Sequence, residues 1–87
     1  MDTYLFYTRQ TESEHRLEEL SKRLADIGVA AEMIDADSPR GSSMVELYDL
    51  MARPTVVVVR NDGQVVQAWT DPEQLPTPDE ISYFAHL

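Results

Sequence analysis

The sequence predicts a three-layer α/β/α domain with a mixed four-stranded sheet, and two observations carry that expectation. The first is the run Val56-Val57-Val58-Val59. A strand with one wet face alternates polar and apolar residues, so an unbroken β-branched run reads as a strand buried on both faces. Pro54 stands just ahead of it, where no ladder hydrogen bond is needed, and Asn61-Asp62-Gly63 behind it has the composition of a tight hairpin turn with positive φ. The second observation is the order of the segments: strand, helix, strand, helix, strand, strand, helix. A parallel strand–helix–strand unit crosses over right-handed. The valine strand then fits antiparallel beside the first strand, giving sheet order 2-1-3-4 with helices on both faces, over residues 1–87 as one domain.

Each element has its own local reason. Tyr4-Leu5-Phe6-Tyr7-Thr8 is an aromatic and apolar run, read as the first strand. Thr11-x-x-Glu14 has the spacing of a capping box, and Leu17, Leu20, Leu24 and Ile27 follow as one apolar stripe on a helix of about four turns. Gly28 ends that helix. Residues 29–35 form the second strand, nearer an edge than the valines because it carries Glu32. Residues 37–42 read as a loop by composition. Ser43-x-x-Glu46 is a second capping spacing, leading a short helix with Met44, Leu47, Tyr48 and Met51 inward. Residues 64–69 return from the hairpin as the fourth strand. Thr77-Pro78-Asp79-Glu80 is the clearest local signal, a threonine cap with proline first and glutamate third. It opens a last helix with Ile81, Phe84 and Leu87 inward.

Composition narrows the partners. Sixteen acidic residues against seven basic ones leave a net charge of −9, which disfavours nucleic acid and anionic membranes, since both reward positive charge. No apolar run approaches the length of a membrane span, and the first residues lack a basic, apolar signal segment. The expected location is cytoplasmic. The chain has no cysteine, so disulfides, thiolate metal sites and thiol redox chemistry are excluded.

The pattern resembles the thioredoxin-like fold in its minimal, glutaredoxin-like form, across essentially the whole chain. Phe6-Tyr7-Thr8-Arg9 is similar to the aromatic strand end that leads into that family's redox loop, Arg53-Pro54-Thr55 to its cis-proline turn, and Asn61-Asp62-Gly63 to its last hairpin. The resemblance implies a functional edge made by the start of the first helix, the 37–43 loop and the turn at Pro54. It implies further that Arg53, before the proline, pairs its backbone with an extended peptide or with glutathione. It also lays the two positions of the family's C-x-x-C motif on Glu12 and His15, which cannot form a disulfide. A carboxylate at the helix start keeps the anion and loses the sulfur.

The remaining chemistry is sparse. Glu12-x-x-His15 is half of a carboxylate–histidine metal pair with no second half, so neither a metal nor a cofactor is expected. Four of the seven basic residues, Arg9, Arg16, Arg40 and Arg53, fall in or beside the three loops of the implied edge. They suit a carboxylate or a glutathione-like anion, or they pair with Glu12, Glu14, Asp35 and Asp37 nearby. The expected site is therefore Arg9, Glu12, His15, Arg16, Arg40, Arg53, Pro54 and Thr55, with no catalytic residue, taking a peptide or protein partner or a small anion. Arg53 and Thr55 would supply backbone pairing as in strand addition. The alternative is an enzyme or carrier using glutathione, with Tyr7 or Thr8 activating the thiol. Tyr7 otherwise packs in the core. Residues 64–69 carry no charge and no proline, the character of an edge strand that can pair with a second copy, so the chain is expected to be a monomer or a weak homodimer.

Overall fold

Seven elements succeed one another: β1 (Asp2–Tyr7), α1 (Glu12–Asp26), β2 (Ala31–Asp35), α2 (Pro39–Leu47), β3 (Val56–Val59), β4 (Val65–Trp69) and α3 (Pro78–Ala85). They are those of a computed structural model, which describes residues 1–50 and 53–87. The sheet order is β2-β1-β3-β4, as the sequence predicts. β1 runs parallel to β2, with Thr3 opposite Ala31 and Tyr7 opposite Asp35. β3 runs antiparallel to both β1 and β4, with a register shift between Val58 and Val59.

All four valines of β3 are buried, and strand alternation sends them to opposite faces. Val56 and Val58 join Leu5, Leu17, Leu20, Leu24 and Ile81 in one core beneath α1 and α3. Val57 and Val59 join Phe6, Ile34 and Met44 beneath α2. Trp69 packs edge-on against Phe84 with ring centroids 5.6 Å apart, and Tyr7 lies against the first core.

Several local expectations need correction. Thr11 is the N-cap of α1, but its hydroxyl accepts no hydrogen bond from the helix. Instead it donates to the Thr8 carbonyl at 2.6 Å, while the Glu14 carboxylate accepts from the Gln10 N–H at 2.9 Å. No capping box forms there. α2 begins at Pro39 with Ser38 as its cap, whose hydroxyl accepts from Gly41 N–H. Ser43 and Glu46 are thus inside the helix, and most of the expected 37–42 loop is its first turn. The proline was the overlooked signal, since its missing N–H and fixed φ suit the first helical position. Met44 is buried but Leu47 is 73% exposed. Met51 lies outside the described residues. Ile27 and Leu87 are also exposed, at 45% and 65%, because each lies beyond the last residue of its helix and falls off the stripe. In the hairpin only Gly63 has positive φ, at 90°.

α3 is as predicted. The Thr77 hydroxyl accepts from Glu80 N–H at 3.2 Å, and the Glu80 carboxylate reaches back to Thr77 N–H.

Candidate functional site

The turn that enters β3 meets the start of α1 at one end of the sheet. Between them lies a cleft of about 340 Å³ whose walls include the hydroxyl residues Thr8, Thr11, Ser13, Thr55 and Thr70. Phe6, Pro54 and Pro72 supply its apolar part, and Arg53 also lines it. Pro54 is buried at this corner, and the Arg53–Pro54 bond is trans, since no cis peptide occurs among the described residues. The cis geometry implied by the resemblance is therefore absent. Trans is the lower-energy isomer by about 0.5–1 kcal/mol, and Thr55 passes directly from it into the sheet.

Thr55 is fully engaged there. Its N–H and its hydroxyl both donate to the Trp69 carbonyl, at 2.7 and 3.0 Å, and its carbonyl accepts from Phe6 N–H at 2.8 Å. The backbone-pairing role expected of Thr55 does not fit that geometry, and of the two residues only Arg53 is left as a candidate for it.

The expected cations do not converge on one ligand position. Arg53 Nη2 donates to Asp37 Oδ1 at 2.8 Å and to Thr8 Oγ1 at 3.3 Å, so this side chain ties together the loop after β2, the end of β1 and the Pro54 turn. Both partners of the ion pair are more than half exposed, and such pairs contribute about 0–1 kcal/mol. Arg40, at the start of α2, pairs instead with Glu32 on the sheet-edge strand β2. The Glu32 hydrogen bond and charge hold its guanidinium still more firmly protonated.

Arg16 lies about 4.0 Å from both Glu12 and Glu73. With His15, Arg23, Leu20, Leu75 and Thr77 it lines a separate groove of about 390 Å³. Arg9 is exposed in the turn between β1 and α1. Glu12 is the first residue of α1, where its charge suits the helix dipole. Among the described residues no cluster of three or more metal-ligating side chains occurs. No described helix is long and apolar enough to cross a membrane.

Of the residues anticipated from sequence, the structure gathers Arg53, Pro54 and Thr55 at the cleft and leaves Arg40, His15 and Arg16 elsewhere. Sequence reasoning missed Thr11, Ser13, Thr70 and Pro72 as its walls. The strand-to-helix spacing could have suggested Thr11 and Ser13. Thr70 and Pro72 arrive only because the β3–β4 hairpin returns the chain to this corner. The topology is compatible with a thioredoxin-like fold. No family model matches the chain, and no curated protein matches it.

Proposed function

We propose that this chain is a redox-inactive, thioredoxin-like binding module that takes a peptide or a small anionic ligand at the Pro54 corner. The observation that carries the reading is the hydroxyl-lined cleft beside Arg53, closed by the start of α1 and the turn into β3. Hydroxyls donate and accept, a guanidinium recognises carboxylates by a two-pronged contact, and together they suit a polar, anionic ligand. The absence of cysteine leaves such a corner able to bind and unable to exchange disulfides. The glutathione-using alternative rests on Thr8, whose hydroxyl faces Arg53 in this cleft, because Tyr7 is packed against the core.

The test is an amide NMR titration of labelled protein with reduced glutathione and, separately, with acidic peptides. The expected result is saturable shifts at Thr8, Thr11, Ser13, Arg53 and Thr70. Replacing Arg53 by alanine should then weaken binding about tenfold, the scale of one charge-assisted hydrogen bond. Undiminished affinity in that variant would remove Arg53 from the site, and an absence of shifts with every ligand would sink the binding reading.

A further inference from the structure

Arg53 belongs to two clefts. Besides the hydroxyl-lined one, it borders a second cleft of about 430 Å³ with Asp37, Ser42, Val45, Glu46 and Leu50, along α2. Its contacts divide the same way, since Thr8 lines only the first cleft and Asp37 only the second. The bridge from Thr8 through Arg53 to Asp37 therefore stands where the two clefts share a wall.

That bridge is exposed and singly held on the Asp37 side. Asp37 meets the guanidinium through one oxygen and one nitrogen, whereas a well-placed carboxylate engages a guanidinium through two parallel bonds. The Asp37 loop is also held without the ion pair, because Asp37 N–H donates to Asp35 Oδ1 at 2.9 Å and Ser38 N–H to the Asp35 carbonyl at 3.0 Å. Its carboxylate can thus swing away while the backbone stays in place.

We propose that Asp37 is a built-in competitor for Arg53, displaced by the carboxylate of an acidic residue inside an extended peptide whose neighbouring residues occupy the two clefts. The inference rests on the binding reading above and adds the ligand class and a regulating contact. Free space on both sides of one cation favours an acidic residue within a chain over a small anion, which would leave both clefts open. On the α2 side, Glu46 and the released Asp37 offer acceptors to the peptide's N–H groups or to a basic side chain.

The probe is the blocked peptide acetyl-Ala-Ala-Glu-Ala-Ala-amide, titrated at low salt into wild type, Asp37→Asn and Glu18→Gln, with acetate as the small-anion control. Asp37→Asn is expected to bind about two- to fivefold more tightly than wild type, the range set by removing one exposed ion pair. The wild-type shifts should fall in both clefts, at Thr8 and Thr11 and at Ser42 and Val45. Glu18→Gln removes the same charge from α1 away from the clefts, and it should leave affinity unchanged. Equal or weaker binding by Asp37→Asn, with wild type still binding, overturns the competitor role and leaves the binding reading intact. A gain shared by Glu18→Gln reduces the effect to net charge and overturns it as well. Acetate matching the peptide in affinity and in shift pattern refutes the two-cleft peptide. Failure of every protein to bind any probe removes both inferences.

Discussion

Helices α1 and α3 open with the same threonine-to-glutamate spacing, Thr11 to Glu14 and Thr77 to Glu80, and they use it in opposite ways. At α3 the two side chains satisfy each other's amides in a closed capping box. At α1 the threonine turns outward to the Thr8 carbonyl and the glutamate reaches past the cap to Gln10 N–H. The backbone explains the divergence. Gln10 sits at φ 58°, a left-handed conformation that presents its N–H to Glu14 in place of the cap's own. The closed box belongs to the helix start that borders the separate groove beside Arg16. The helix start that leaves its cap side chain for other uses is the one that borders the hydroxyl-lined cleft.

The sharpest way to break the comparison is at the third copy of the spacing, Ser43 to Glu46, which lies inside α2. That helix can start early because Gly41 allows its first turn to press against the end of β2. A Cβ added at Gly41 would collide with the Asp35 carbonyl oxygen. Gly41→Ala should therefore destabilise the fold by about 1–3 kcal/mol in denaturant titration, as overpacking does, despite the better helix propensity of alanine. Unchanged or increased stability would mean that α2 can begin at Ser43 after all.

A smaller effect sharpens the contrast directly. Thr77→Ala should cost about 1 kcal/mol, the usual loss of an N-cap side chain, whereas Thr11→Ala should cost less than about 0.5 kcal/mol. Equal losses in the two variants would erase the distinction between the two starts.

The smallest effect lies at the other end of α2, where its C-cap Tyr48 stacks beside Tyr4 with ring centroids 6.4 Å apart. Burial, then the negative charge of Asp2 and the neighbouring Tyr48, push the Tyr4 phenol above its ordinary range. A folded pKa above the unfolded one gives stability that is complete below the ordinary tyrosine value and lost as pH rises through the raised one. Tyr4→Phe should accordingly flatten the loss of stability at alkaline pH. Identical alkaline profiles for variant and wild type would refute this.

Much of the frame was legible because it rests on short-range signals. Four successive valines and the Thr77-Pro78-Asp79-Glu80 start each carry their own physical reason, and the sheet order follows from the succession of segments and the right-handed crossover. The start of α2 was legible only in Ser38 and Pro39, a cap followed by a proline, because Pro39-Arg40-Gly41-Ser42 as a whole has a loop's composition and its first turn presses against the end of β2. At the site, the resemblance of the Pro54 turn picked out Arg53 before the fold was known. Its partner Asp37 was one of four nearby carboxylates, and nothing local distinguished it. The distribution of the arginines misled for the same reason. Arg40 is close to the implied edge in sequence, yet Glu32 on the neighbouring strand draws it away.

Among the described residues β4 has a sheet neighbour on one side only, and the Ala68 N–H on that strand is taken up by the Gln67 side chain at 3.2 Å. A glutamine amide here imitates one rung of a missing strand. Any chain that adds to this border and needs that donor must first dislodge a tethered substitute, whose local concentration no free competitor matches. The same strand carries the register shift opposite Val58 and Val59, so a docking strand meets a ladder with uneven steps.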